Sequence, residues 1–482
     1  MNAWSIIRQL VLIVTVPLFL SCGGEGSGGN ESVPSDTAAP QVTLTAPANL
    51  ATDLTGTLAL GATANDNIAV TRVEFEIDGL AAGSDDTAPF AGSVNTADYT
   101  AGQHMVRARA RDAAGNVSAW STATVKFGGN TTVPAGFTKN ERFITGLSLA
   151  TAVAQAPDGR LFIAEQGGVV RVFKAGELLQ QPFVRLAVDA SGERGLIGIA
   201  LHPNFPATPH VFMHYTATTG ATGGTHNRIS RFTAQGDSAL PSSELILVEL
   251  PPLSAATNHN GGALHFGTDG KLYVGVGENA DAARSQDLTS PLGKLLRFND
   301  DGSIPADNPF FTTQQGLARA VWAYGLRNPF SFAVQASSGR IHINDAGADT
   351  WEEINVGVAG ANFGWPGSEG PDNVGPSMAA PLFAYRHSDA VPPGSGPGGF
   401  FTGIAIAGGT FYPATGPFAA PYRNNYFFAD FGRRFIGRLD PANGNAAYAF
   451  ANISDAPVDM LVGTDGALLV LGRASVTRIS SP

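Results

Sequence analysis

The sequence predicts an all-β chain: a small β-sandwich followed by a six-bladed β-propeller. Three observations carry this. Charged residues are only 14% of the 482, while Gly (59) and Pro (31) are abundant, which suits turn-rich sheets and disfavours long helices. From about Pro40 to Phe127 apolar and polar residues alternate with period two. Beyond that stretch, a turn rich in Gly or Asn opens an apolar run six times over, as a radial repeat requires. The length calls for two or more domains, and 43% apolar residues are ample for their cores. Forty acidic against 29 basic residues, with no basic run, argue against nucleic acid and against an electrostatic hold on anionic lipid. A single cysteine excludes an internal disulfide framework and any Cys-based zinc site.

Residues 1–21 place Arg8 ahead of the apolar run Leu10–Leu20, which has the length of a signal-peptide core and is too short to span a bilayer. Cys22 follows at once, before Gly23-Gly24-Glu25-Gly26-Ser27-Gly28-Gly29. The arrangement resembles a bacterial lipoprotein signal, with Cys22 acylated and 22–38 a flexible tether. That implies an exported protein held to the cell envelope (outer membrane, periplasmic or surface side) by a lipid anchor alone. Simple secretion is the alternative.

Residues 39–128 carry the alternation. Val73, Phe75 and Ile77 interleave with Glu74 and Glu76, and Val106, Ala108 and Ala110 with Arg107, Arg109 and Arg111, so each strand has one apolar and one charged face. Turn clusters at Asp78-Gly79, Asp85-Asp86 and Ala114-Gly115-Asn116 separate the strands at sandwich-like intervals. The stretch resembles bacterial immunoglobulin-like modules of surface proteins. It shows no catalytic constellation, so a spacer is the plain expectation and glycan or partner binding the sharper one. A second linker, Gly128–Pro134, leads into 135–482.

The repeat there begins with Pro157-Asp158-Gly159-Arg160-Leu161, Pro203-Asn204 ahead of Val211, and Thr268-Asp269-Gly270-Lys271-Leu272. It continues with Ser338-Gly339-Arg340-Ile341, Arg423-Asn424-Asn425-Tyr426 and Thr464-Asp465-Gly466-Ala467-Leu468. Six instances predict six blades, with chemistry on the loops around the axis. His259, in Thr257-Asn258-His259-Asn260-Gly261-Gly262, is a candidate general base, because Gly261-Gly262 lets a ligand approach the backbone. An ordinary surface histidine is the alternative. Glu278 could orient that imidazole. Arg327, in Gly325-Leu326-Arg327-Asn328-Pro329, could bind an anion or tie two blades together. Asp345-Ala346-Gly347-Ala348-Asp349 with Glu352-Glu353 offers oxygen ligands suited to Ca²⁺, without EF-hand spacing. His202, His265 and His342 look structural.

Several long runs together resemble one family. They are Gly192-Glu193-Arg194-Gly195-Leu196-Ile197-Gly198 with His202-Pro203-Asn204-Phe205, the His259 loop, Leu292-Gly293-Lys294-Leu295-Leu296-Arg297, the Arg327 turn, and Glu353-Ile354-Asn355 through Asn362-Phe363-Gly364-Trp365-Pro366. In this order they are similar to the soluble quinoprotein glucose/sorbosone dehydrogenases, over about Gly136–Ser480. The resemblance implies a six-bladed propeller that binds pyrroloquinoline quinone (PQQ) and Ca²⁺ and oxidises sugars at the anomeric carbon. A cytochrome or quinone would then take the electrons.

By the same resemblance His259 is the general base, Glu278 supports it in place of an aspartate, and Arg327 and Asn328 flank the quinone carbonyls. Gly347 and Ala348 hold the catalytic Ca²⁺ through backbone oxygens. Glu193 stands where glucose-oxidising members have a glutamine near the sugar, and Glu353 with Asp372 would bind a second, structural Ca²⁺. The family clamps the cofactor's three carboxylates with a lysine and two arginines. Here the lysine's place falls near Phe431-Gly432-Arg433-Arg434, so Arg433 and Arg434, with Arg423, are the candidate replacements; the arginine pair falls on Ala456-Pro457-Val458-Asp459. Losing those partners would cost about 1.5–3 kcal/mol per charged hydrogen bond. Two alternatives stay open: a propeller that lost its cofactor and binds a glycan or protein, and a calcium-dependent lactonase. The sugar itself is not written in the sequence, since loops such as Ser368–Gly399 would choose it.

Overall fold

In the computed structural model the described residues are 36–128, 133–220, 223–388 and 401–481. The signal segment, Cys22, most of the tether, part of the second linker and 389–400 of the Gly/Pro-rich insertion lie outside them.

The first module is two antiparallel sheets face to face. Gln41–Ala46, Thr57–Asn65 and Phe90–Asn95 make one; Leu80–Asp85, Val70–Ile77, Gly102–Asp112 and Ser121–Phe127 make the other. Val73, Phe75, Ile77, Val106, Ala108 and Ala110 are fully buried between them. On the outer face the opposed strands pair charges: Glu74 binds Arg109 and Arg111 at 2.6 and 2.9 Å, and Glu76 binds Arg107 at 2.6 Å. The period-two alternation is thus the inside and outside of one sheet.

The rest of the described chain forms six further antiparallel sheets of four or five strands. Their innermost strands are Ala150–Gln155, Leu196–Leu201, Leu264–Phe266, Pro329–Val334, Ile406–Phe411 and Pro457–Val462. Each of the six Gly/Asn turns read from the sequence lies between a sheet's first and second strands. Thr138–Thr145 completes the last sheet by pairing with Ser475–Ser480, so the start of the module closes on its end. Apolar clusters fill the space between consecutive sheets. Phe162 and Met213 pack between the first and second, Phe212 and Phe298 between the second and third, and Leu295 and Ile343 between the third and fourth. Ile354 and Phe428, Phe450 and Leu468, and finally Ile163 and Leu471 carry the packing round to the first sheet again. This is a propeller. Full burial of one such side chain stabilises by about 1.5–3 kcal/mol, and the ring leaves no sheet face unpacked.

The sandwich seats on the fifth sheet. Arg438, almost wholly buried, lies over the rings of Tyr422 and Tyr448 at 4.8 and 4.4 Å and donates to the Asp78 carbonyl at 2.6 Å. Arg107 reaches Asn443 at 2.7 Å.

Candidate active site

A cavity of about 520 Å³ opens where the innermost strands converge. Its lining brings together Glu193, His259, Arg327, Asn328, Gly347 and Ala348, which come from loops after four different sheets or strands.

The His259 loop reaches the cavity because two glycines let it. Gly261 has φ +68°, and a Cβ there would come 2.6 Å from the Gly275 carbonyl oxygen. His259 itself has φ +55°, a left-handed conformation that a non-glycine residue adopts only when held. Glu193 Oε2 accepts its backbone N–H at 2.8 Å, and its carbonyl accepts from Asn279 at 3.0 Å. The imidazole Nδ1 lies 2.9 Å from Glu278 Oε1, and Glu278 is buried. The other Glu278 oxygen accepts the Ala280 backbone N–H. With Nδ1–H donating to the Glu278 carboxylate, Nε2 is the ring nitrogen left as a proton acceptor.

Asn328 ties this loop to the next. Its Oδ1 accepts from Gly261 N–H at 2.9 Å, and its Nδ2 donates to Glu193 Oε2 at 3.3 Å. Asp345 accepts the backbone N–H groups of both Arg327 (2.9 Å) and Asn328 (2.7 Å). It therefore positions the turn from behind. Burial pushes the Asp345 carboxyl up, against the lowering pull of those two N–H groups and of the Arg327 charge. The Arg327 guanidinium donates to the Ala346 carbonyl at 3.0 Å and lies 5.6 Å from the Trp365 ring.

Gly347 and Ala348 sit on a tightly wrapped loop. A Cβ on Gly347 would lie 1.5 Å from the Trp351 carbonyl oxygen, so only glycine fits. Glu369 Oε1 accepts four successive backbone N–H groups, from Ala348 to Trp351, at 2.8–3.2 Å. Gly347 N–H is 3.3 Å from Glu352 Oε2. The N–H groups of Gly347 and Ala348 are thus both held by carboxylates.

Three expectations meet a different arrangement. Arg433 and Arg434 are exposed and do not line the cavity; Arg434 donates to the Ser454 carbonyl at 2.9 Å instead. Arg423 ties down its own loop through the Phe418 and Gly416 carbonyls. The reason is local: the turn after Tyr426–Asp430 directs Phe431 to the cavity and the arginines to solvent. Glu353 accepts from Gly370 N–H and Asn355, while Asp372 accepts from Trp351 Nε1 at 2.8 Å. These two brace the same loop, but among the described residues the one cluster of three carboxylates within 4.8 Å of each other is Asp36, Asp66 and Asp112 in the sandwich. His265 is a strand residue yet also lines the cavity, and burial lowers its pKa to about 4, so it is neutral there.

Sequence reasoning missed Gln166 and Arg473, which also line the cavity, as does Asp459 of the 456–459 segment. Arg473 stands on the hairpin before Ser475–Ser480 and donates to the Ala150 carbonyl at 2.9 Å and to Gln166 Oε1. Burial lowers its pKa, with the Asp455 charge working in the opposite direction. Asp459 is pushed up to about 7 by burial, although it accepts Val153 and Met460 N–H. No motif surrounds Arg473; only its place beside the first sheet reveals it.

The glucose/sorbosone dehydrogenase family model matches residues 147–479. The chain belongs to this family. A bacterial Ig domain model matches 40–108. The chain is similar to the aldose sugar dehydrogenase YliI of Escherichia coli (strain K12), 32% identical over 255 residues, or 50% of this chain and 68% of that one. Quinoprotein glucose dehydrogenase B of Acinetobacter calcoaceticus is 28% identical over 265 residues, covering 48% of this chain and 54% of its own length. The human Hedgehog-interacting protein is 29% identical over 229 residues, covering 42% of this chain and 33% of its own. The chain thus spans about half to two thirds of the dehydrogenase relatives it matches. Among solved structures, the apo soluble aldose sugar dehydrogenase of E. coli superposes with a TM-score of 0.62 at 26% identity, over 72% of this chain and 100% of that one. A PQQ-bound aldose sugar dehydrogenase from Streptomyces coelicolor shares the fold, with a TM-score of 0.58 at 23% identity over 73% of this chain and 100% of its own.

Proposed function

We propose that this chain is a six-bladed quinoprotein that oxidises an aldose or related polyol, exported and held at the cell envelope by lipid on Cys22. One observation carries the catalytic reading: a carboxylate-oriented imidazole shares a cavity with two arginines that have no carboxylate partner within ion-pair distance among the described residues. The fit to PQQ is good in kind, since a flat tricarboxylate needs a roomy cavity and cations. Arg327 and Arg473 supply the cations, while Gly347 and Ala348 supply backbone oxygen for Ca²⁺.

When bound, PQQ supplies a two-electron acceptor, and Ca²⁺ polarises its carbonyl. His259 Nε2 takes the proton of the anomeric hydroxyl as the C–H bond gives up its hydride and the sugar becomes a lactone. Glu278 holds the tautomer this needs and stabilises the imidazolium that forms. Arg327 faces negative charge developing on oxygen. Glu193 keeps the His259 and Asn328 loops in register. A cytochrome or quinone then takes the electrons in turn.

The test is dye-linked oxidation of an aldose panel by protein reconstituted with PQQ and Ca²⁺. Turnover that falls at least about a hundredfold in His259→Asn is expected. Equal dye reduction by wild type and variant would sink the assignment.

A second reading, a propeller that binds a glycan or protein without catalysis, draws on the similarity to Hedgehog-interacting protein and on a cavity that no lysine lines among the described residues. Failure of the wild type to oxidise any aldose while retaining carbohydrate or protein ligands would favour it.

A further inference from the structure

We propose that Arg473, acting across the cavity from Arg327, anchors a carboxylate of PQQ in place of the lysine–arginine clamp that Arg433, Arg434 and the 456–459 segment do not provide. This rests on the quinone-dependent reading above.

Charge is the first argument. Four other arginines that are at most about a tenth exposed have acid partners within 3 Å, Arg160 with Asp158, Arg194 with Asp189, Arg228 with Glu249 and Arg297 with Asp269, while Arg438 is satisfied by Asn425 and the Asp78 and Pro421 carbonyls. Arg473 and Arg327 form no such pair among the described residues, and both line the cavity. Both are half-buried, and a guanidinium that faces a cavity without a counter-charge invites an anionic ligand.

Preorganisation is the second. Arg473 is pinned by two neutral acceptors, the Ala150 carbonyl and Gln166 Oε1. Gln166 is itself locked, its Nε2 donating to the Gly192 carbonyl at 2.7 Å and the Arg194 carbonyl at 2.8 Å. Two contacts leave most of the guanidinium's five N–H donors for a ligand, on a fork that no longer needs ordering.

Position is the third. Arg327 lies between the third and fourth sheets of the ring, and Arg473 between the sixth and first. In a closed ring of six these are opposite sides, so a rigid planar polyanion laid across the cavity meets a cation at each end. Asp459, on the same side as Arg473, is a carboxyl that burial favours in its neutral form, which spares the ligand a like charge.

The experiment titrates the full chain, in Ca²⁺, with PQQ and separately with its uncharged trimethyl ester, following quenching of tryptophan fluorescence. Wild type is expected to prefer the free acid at least about a hundredfold. Arg473→Gln should cut that preference by about 10–100-fold through weaker binding of the acid, with ester affinity unchanged within about threefold. Arg473→Lys keeps the charge but loses the fork; its intermediate preference keeps the test standing if the glutamine variant does not fold. A wild-type preference in either variant would overturn the anchor. Failure of wild type to bind either form would overturn the quinone reading itself, and the anchor with it.

Discussion

Glu278→Gln is the sharpest perturbation of the proposed chemistry, because the structure dictates which way the new amide turns. In wild type one Glu278 oxygen faces His259 Nδ1–H at 2.9 Å and the other faces the Ala280 N–H. An amide has one oxygen. If that oxygen stays with Ala280, the NH₂ group donates to Nδ1 and the imidazole proton moves to Nε2, which can then accept nothing. If the oxygen turns to His259, two buried donors face each other at Ala280, at a cost of about 1–3 kcal/mol. The competent arrangement is therefore depleted about 5- to 150-fold. The carboxylate's pull on the imidazolium is lost as well, worth up to about 4 kcal/mol for charges 4 Å apart at an effective dielectric near 20. Together these lower kcat by about 10²–10⁴, a range compatible with loss of a tautomer-fixing carboxylate in other enzymes. Dye-linked aldose oxidation gives kcat and KM, and tryptophan quenching gives PQQ affinity. KM and PQQ affinity should stay within about threefold, because Glu278 is buried behind His259. Glu278→Asp, which keeps the charge on a shorter arm, should cost no more than about tenfold. A glutamine variant with more than about half the wild-type kcat would refute the tautomer argument.

Other expectations follow from the same geometry. Asp459 has a folded pKa raised from its ordinary value to about 7 by burial, so its contribution is present at low pH and lost as pH rises through about 7. Asp459→Asn should therefore gain stability relative to wild type between pH 5 and pH 8, by about 2–4 kcal/mol at most; thermal melts at the two pH values check the sign. Gly347→Ala would drive a Cβ into the Trp351 carbonyl, and a loss of about 2–4 kcal/mol is expected in denaturant titration. Arg438→Ala removes the cation between Tyr422 and Tyr448 and its bond to Asp78; the junction should loosen, seen as faster proteolysis between the sandwich and the propeller and an unfolding free energy lowered by about 2–4 kcal/mol in denaturant titration.

The fold was legible because its signals are local and periodic. Alternation at Val73–Ile77 and Val106–Ala110 reads directly as a buried face, and six turns such as Thr268-Asp269-Gly270 mark the same corner of six sheets. The return of Thr138–Thr145 to the last sheet was not legible, since pairing across the whole propeller module leaves no local trace. At the site, residues on short contiguous motifs were found: His259 beside Gly261-Gly262, and Arg327-Asn328 before a proline. Arg473 and Gln166 were not, because single residues on different sheets meet only when the ring closes. The Arg433-Arg434 pair, a candidate clamp in the sequence, lies exposed for a related reason. Sequence shows charge near a strand end, but the twist of one turn decides whether charge faces cavity or solvent, and here Phe431 faces in.

Calorimetric titration of the chain from residue 23 onward with PQQ, first in Ca²⁺ and then in chelator, is the decisive test of the quinone-dependent reading. Binding at one site that weakens strongly when calcium is removed is expected, because Gly347 and Ala348 then have no ion to present to the cofactor. No heat at high micromolar PQQ in either buffer would contradict it, leaving His259 and Glu278 an oriented base with no oxidant to serve.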